Sequence, residues 1–452
     1  MKTLGWIGIF RLGLVQTALG AIVVLTTSTM NRVMVVELAL PAMLPGALVA
    51  LHYAIQMMRP RFGYDSDMGG RRTPWIIGGI GVLALGSIVA SSAVALMADH
   101  PALGIGVAIA AFVLVGAGVG AGGTSLLALL AARVDEGRRA AAASTVWLMM
   151  IAGFVITAGS AGHFLDPFST GRLVAVTSVV AACAFVLTVV AVWGVESATR
   201  AGRARAPVDP AEKPSFSEVF AQVWSEPKAR AFTIFVFVSM LAYSTQDLIL
   251  EPFAGAVFGL TPGASTQLAG VQHSGVFFGM ILVAIAASGR AGPRFGSTRS
   301  WTVGGCIASG AALFLLAVAG FVGPEWPLRP TVFFLGLANG AFAVAAIGWM
   351  MSLAGAGTES REGIRMGLWG GAQAVAFALG GFLGTVGVDL VRALNGSVVL
   401  SYSMVFTVEA ALFVFAALLA FRMEHAEASS PAPRTTPKPA GALAEAMVEI
   451  ES

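Results

Sequence analysis

The chain has 452 residues, of which 57% are hydrophobic, 55 are Gly and only 11% are charged, with a formal net charge of +3. A soluble domain carries about 25% charged residues; half that density, with a mean hydropathy of +0.82, cannot cover a water-soluble chain of this size. Soluble enzymes, nucleic-acid binders, disordered proteins and disulfide-built secreted domains are excluded, which leaves a multi-span membrane protein.

A helical span needs about 20 apolar residues. In chain order, apolar stretches lie at about 12–30, 39–58, 75–97, 102–130, 142–162 and 172–194. After a break they resume at about 231–255, 266–288, 300–322, 331–354, 366–388 and 398–421. Twelve transmembrane helices are therefore expected, and no segment shows the alternation of a membrane β-barrel. Residues 1–30 read as a first span and not as a cleaved signal, because another span follows at once. The break, 195–230, is rich in Arg, Pro, Ala and Glu. Residues 422–452, centred on SSPAPRTTPKPAGA, read as a disordered tail. The expected organisation is a six-helix half over 1–194, a cytoplasmic loop over 195–230, a second six-helix half over 231–421 and a tail over 422–452. Cys183 and Cys306 lie inside apolar stretches without CxxC spacing and read as structural thiols.

With the N-terminus in the cytoplasm, 23 of the 27 Lys and Arg fall on cytoplasmic segments. The other side holds Arg32, Arg172, Arg329 and Arg392. The positive-inside rule then places both termini in the cytoplasm. This bias accounts for the basic residues without a nucleic-acid partner.

The two halves repeat. Arg139, Trp147, Gly159 and Gly162 recur as Arg361, Trp369, Gly381 and Gly384 at one offset of 222 residues (369 − 147). Pro60-Arg61-Phe62-Gly63 after the second span recurs as Pro293-Arg294-Phe295-Gly296 after the eighth. Parallel repeats of six spans are the arrangement of the major facilitator fold.

The loop after span two resembles the major facilitator signature G-x-x-x-D-R-x-G-R-R through Gly63, Asp67, Gly70, Arg71 and Arg72, with Met68 where the family has Arg. Glycines permit a tight turn, and Asp67 can accept from a helix end or an Arg, latching the halves. An ordinary basic loop is the alternative. Gly116, Gly118, Gly120, Gly122 and Gly123 in span four lack the Lys of a phosphate loop and read as a helix-packing surface.

Charges inside a membrane are costly and mark function. Arg32 and Glu37 end span one, and Asp247 and Glu251 end span seven, four apart and so on one face. Pairing of Arg32 with Asp247 or Glu251 would close the periplasmic side of a central cavity; the competing reading makes them wet loop residues. His52 in span two, with Gln56 on its face, and His273 in span eight are either hydrogen-bonded packing residues or ligands for a chlorin magnesium. No nucleophile elbow, HExxH or Cys/His cluster is present, and Asp65 and Asp67 lack the DxxxD spacing of a prenyltransferase, so no enzyme is expected.

Four stretches carry a more specific likeness: NRVMVVELALPAMLPGALVALHYAIQMMRPRFGYDSD (31–67), RTPWIIGG (72–79), TQDLILEPFAGAVFG (245–259) and GLWGGAQAVAFALGG (367–381). They resemble the BCH/PUCC family of the major facilitator superfamily, over about 5–422. The family includes PucC- and LhaA-like assembly factors of light-harvesting complexes and a chain labelled a bacteriochlorophyll synthase subunit. The resemblance implies a photosynthetic membrane protein that handles bacteriochlorophyll or a precursor as cargo, with no covalently bound cofactor. Its implied partners are light-harvesting or reaction-centre polypeptides, a pigment synthase and the lipid bilayer. A proton-coupled transporter of a small solute, with Asp247 or Glu251 as the carrier, and a passive assembly scaffold are the alternatives.

Overall fold

The computed structural model describes residues 4–59, 62, 71–135, 138–196, 224–287, 297–355 and 362–428. Among them are twelve principal helices and no strand. These are α1 (Trp6–Glu37), α2 (Met43–Gln56), α3 (Thr73–Met97), α4 (Pro101–Arg133), α5 (Arg139–Leu165) and α6 (Thr170–Val192), then α7 (Pro227–Phe258), α8 (Pro262–Ala287), α9 (Thr298–Val322), α10 (Leu328–Gly355), α11 (Glu362–Asn395) and α12 (Val398–Ala428). Eleven are long and apolar enough to cross a membrane; α2, at 14 residues, is the shorter apolar one. Several ends differ from expectation. Helix α1 runs on to Glu37, so Asn31, Arg32 and Glu37 are helical and not loop residues. Helix α12 runs to Ala428, past the expected start of the tail; the rest of that tail lies outside the described residues.

The helices run up and down between two faces. The terminal face carries the start of α1 and the end of α12; there Arg11 Nε donates to the Ala191 carbonyl of α6 at 2.9 Å. The opposite face is called the far face below.

The packing is two-fold. In the first half α1 packs on α5 and α6, α3 on α4 and α6, and α2 on α4. In the second, α7 packs on α11 and α12, α9 on α10 and α12, and α8 on α10. Each contact has its mate, and the halves meet through two further mates, α2 on α11 and α5 on α8. This is the major facilitator fold of two six-helix halves.

The side-chain register of the repeat differs from the sequence match. Trp147 is 40% exposed, whereas Trp369 is 1% exposed and packs edge-on against Phe232 at 4.8 Å. The burial patterns of α5 and α11 coincide when shifted by one residue more: Val146 with Trp369, Ala158 with Gly381, Ala161 with Gly384, and Leu165 with Val388 are all buried. One residue turns a helix by about 100°, so the matched tryptophans belong to equivalent helices but face different surroundings.

Small residues set the helix spacing. A Cβ on Gly79 of α3 would lie 2.4 Å from the Gly122 nitrogen of α4, and one on Gly336 of α10 would lie 2.0 Å from the Gln272 carbonyl oxygen of α8. Neither space exists, so these glycines allow backbones to touch where hydrophobic exclusion provides no drive between helices. Large apolar side chains such as Leu85, Val179, Phe321 and Leu418 stay exposed on the outside, where lipid covers them. Cys183 is exposed, Cys306 is buried, and both are free thiols.

Candidate functional site at the seam between the halves

Helix α1 widens to π-helical turns at Leu25–Thr29 and Val33–Glu37. Such turns shift side chains off the α-helical positions and recur at functional sites. Here they direct a row of polar groups at α7 and α8. Ser28 donates to the Glu251 carboxylate, and the Thr29 and Thr266 hydroxyls lie 3.0 Å apart. Asn31 Nδ2 donates to the Leu248 carbonyl at 2.5 Å. That carbonyl is available because Pro252, four residues on in α7, has no N–H to offer it.

Arg32 is 2% exposed. Its Nη1 pairs with Glu37 at 2.5 Å and its Nη2 donates to the Leu260 carbonyl at 2.6 Å. Gly255 of α7 makes room: a Cβ there would sit 2.9 Å from Nη2. The expected pairing of Arg32 with Asp247 or Glu251 is not formed. Five residues separate Arg32 from Glu37, which an α-helix rotates about 140° apart. The Val33–Glu37 π-turn, closed by Leu38 N–H to the Val33 carbonyl at 3.0 Å, brings them together. Glu251 remains in electrostatic reach of Arg32 while bonding Ser28.

Two carboxylates complete the closure of the far face. Asp166, at the end of α5, accepts from the Thr261 hydroxyl at 2.7 Å and the Gly263 N–H at 3.3 Å, capping α8. Asp389 of α11 accepts from the N–H groups of Ala42 at 3.1 Å and Met43 at 2.7 Å, capping α2. Each acid holds the start of a helix from the other half, where unpaired N–H groups favour an anion. The two obey the same register shift as the buried faces of α5 and α11.

Deeper along the seam, Phe377 of α11 lies between Tyr53 of α2, with centroids 5.6 Å apart, and Tyr243 of α7, 6.0 Å apart. Asp247, half-buried, is one turn from Tyr243 and within electrostatic reach of both tyrosines. His52 is 1% exposed; Gln56 donates to its Nε2 at 2.7 Å and accepts from Arg59. His273 of α8 is half-buried, with Phe154 of α5 at 4.8 Å, as Tyr53 of α2 lies against Phe377 of α11. The Nδ1 atoms of both rings are buried without a partner.

At the terminal face, Gly63, Asp67 and Gly70 of the loop motif lie outside the described residues. Arg71 is exposed. Arg72 belongs to the start of α3: its N–H and those of Thr73, with the Thr73 hydroxyl, donate to Glu196 after α6, at 2.8 to 3.0 Å for the shortest three, and its Nη1 donates to the Ala128 carbonyl at 3.0 Å. Partial burial alone would raise the Glu196 carboxyl; the Thr73 and Arg72 hydrogen bonds and the Arg72 charge outweigh it and hold the acid below its usual range.

The PUCC protein family matches residues 29–428. The chain belongs to that family. The match begins at Thr29 in the widened part of α1 and ends with α12, so it spans both halves and the seam. Over 418 residues the chain is 52% identical to the bacteriochlorophyll synthase 44.5 kDa chain of Rhodobacter capsulatus, covering 92% of this chain and 95% of that one. It is 31% identical to Protein PucC of Rhodobacter capsulatus over 427 residues, covering 90% of each. Among solved structures, a bacterial homologue of the human lysosomal transporter Spinster, in an inward-facing and unoccupied conformation, superposes with a TM-score of 0.68 at 16% identity, over 94% of this chain and 98% of that one.

Several residues of this PUCC seam escaped the sequence reading. Asp166 and Asp389 sit where helix ends meet loops, and acids there are ordinary. Pro252 inside an apolar span was a usable signal, since it frees a carbonyl four residues earlier. Glu409 in α12 was usable too, as a lone charge within a span. It and Gln246 of α7 are buried, and none of their four side-chain oxygen and nitrogen atoms has a partner.

Proposed function

We propose that this multi-span membrane protein takes up bacteriochlorophyll or a late precursor and delivers it to light-harvesting or reaction-centre polypeptides, in a bacterial inner membrane with both termini cytoplasmic. The observation that carries this reading is the 52% identity, across both halves, to a chain named for bacteriochlorophyll synthesis. The geometry is compatible with such a cargo. Of the two histidines, His273 is the better magnesium ligand, because His52 already engages Gln56 through Nε2. An apolar cleft of about 370 Å³, bounded by Phe62, Trp75, Gly78, Gly79, Val82 and Ala117 between α3 and α4, offers space for a prenyl tail. The synthase label does not make this chain an enzyme in our reading, which rests on the PUCC family match and the transporter-like fold running through both halves.

Deleting the gene and comparing assembled complexes with free pigment tests the proposal. Loss of complexes with the last synthetic step intact supports it. Normal complexes together with lost uptake of a small solute favour a second reading, a proton-coupled transporter, for which the half-buried Asp247 beside Tyr53 and Tyr243 is the supporting feature.

A further inference from the structure

Glu409 is the least explained charge-bearing residue of the bundle. It is 1% exposed, and neither carboxyl oxygen has a hydrogen-bond partner. The helix faces identify its neighbours. Phe253 of α7 packs on Tyr402 and Phe406 of α12, with centroids 5.6 and 5.0 Å apart. Gln246 lies two turns before Phe253 on the same face of α7. Glu409 lies three residues after Phe406 and seven after Tyr402, on the same face of α12. The antiparallel helices therefore bring Gln246 and Glu409 to neighbouring levels of one interface. Gln246 is 0% exposed, and its amide oxygen and nitrogen are also unpartnered.

An ionised carboxylate without a cation or donor is not sustained in such a place. Among the described residues no cation acts on Glu409 itself. Helix α7 presents Asp247 and Tyr243, and Asp247 is the charge that reaches Glu409. Helix α9 carries the buried thiol Cys306. The Asp389 and Arg392 of α11 act on Tyr402, two turns nearer the far face. Asp247, half-buried beside Tyr53 and Tyr243 at the seam, is within electrostatic reach of Glu409.

We propose that Glu409 and Gln246 form a proton-binding site within the second half, served through Asp247. In the closed-far-face state Glu409 holds the proton as a neutral acid. When the α7–α12 interface shifts, the Glu409 O–H proton passes to an Asp247 carboxylate oxygen, Gln246 then donates its N–H to the Glu409 carboxylate left behind, and Asp247 releases the proton to the seam; the return runs in reverse. This goes beyond pigment handling and does not depend on it, since it needs only the residues named.

The test is infrared difference spectroscopy of the purified protein across a pH series, in light and heavy water. The expected result is a carboxylic-acid carbonyl band at neutral pH that shifts in heavy water, fades on alkaline titration and is absent from Glu409→Gln. In Asp247→Asn the band should remain but exchange more slowly. Glu409→Gln preserves size and neutrality and so keeps the fold; Glu409→Asp, which keeps the acid, should retain a band. A Glu409→Gln spectrum identical to that of the unaltered protein overturns the proposal. So does a band that does not titrate, or one abolished by sodium at constant pH, which would make the ligand a metal cation.

Discussion

Asn31 and Pro252 belong to different halves, yet one completes the other. Pro252 withholds an N–H from the Leu248 carbonyl, and Asn31 supplies one from α1 at 2.5 Å. Replacing Asn31 with Leu leaves a buried carbonyl unsatisfied, at a cost of about 1–3 kcal/mol. In a Pro252→Ala background α7 can make its own bond, and the same Asn31→Leu change should cost much less. A double-mutant cycle on unfolding in detergent measures the coupling; additive effects would mean that Asn31 and Pro252 act independently.

The overall fold was legible because hydropathy and span length obey simple physics: apolar stretches of about 20 residues are forced by bilayer thickness. The contacts at the far face were less legible. Arg32 and Glu37 read as separated on an α-helix, and only the π-turn at Val33–Glu37 joins them. The repeat was visible in Trp147 and Trp369, but the buried faces of α5 and α11 coincide one residue out of that register. Asp166 and Asp389 gave no pattern of their own, since a cap depends on where another helix begins.

Those two caps should behave as a pair. Asp166→Asn and Asp389→Asn each weaken an anion at a helix start, a loss of about 0.5–2 kcal/mol per cap. In a Cys183→Ser background, a reporter thiol at Ser265, which is fully buried, should be labelled faster in either variant and fastest in the double variant. Unchanged labelling in all three would show that the caps do not hold the far face shut.

Helix spacing predicts a contrast between two glycines. Gly336→Ala places a Cβ 2.0 Å from the Gln272 carbonyl oxygen and should abolish a monodisperse product, whereas Gly304→Ala meets nothing within 4 Å and should leave yield and melting temperature unchanged or slightly raised. Size-exclusion profiles of the two variants are the check.

Glu196 gives a pH dependence with a defined sign. Its carboxyl is held below the ordinary value of 4.5 by Thr73 and Arg72 despite partial burial, so the unfolded chain takes up the proton first as pH falls. The stabilisation is complete above the unfolded value and is lost as pH falls through the lower folded one. Melting temperature should therefore drop between neutral and strongly acidic pH, and Glu196→Gln should flatten that drop while starting lower at pH 7. An acid slope unaffected by Glu196→Gln would assign it to other carboxylates.

The direct measurement of the cargo is equilibrium binding of bacteriochlorophyll to the purified protein, read by chlorin absorbance after removal of free pigment, with His273→Leu alongside. The account predicts a saturable chlorin band on the unaltered protein and a weakened or spectrally shifted one on His273→Leu. A well-folded protein that stays colourless at saturating pigment would contradict it.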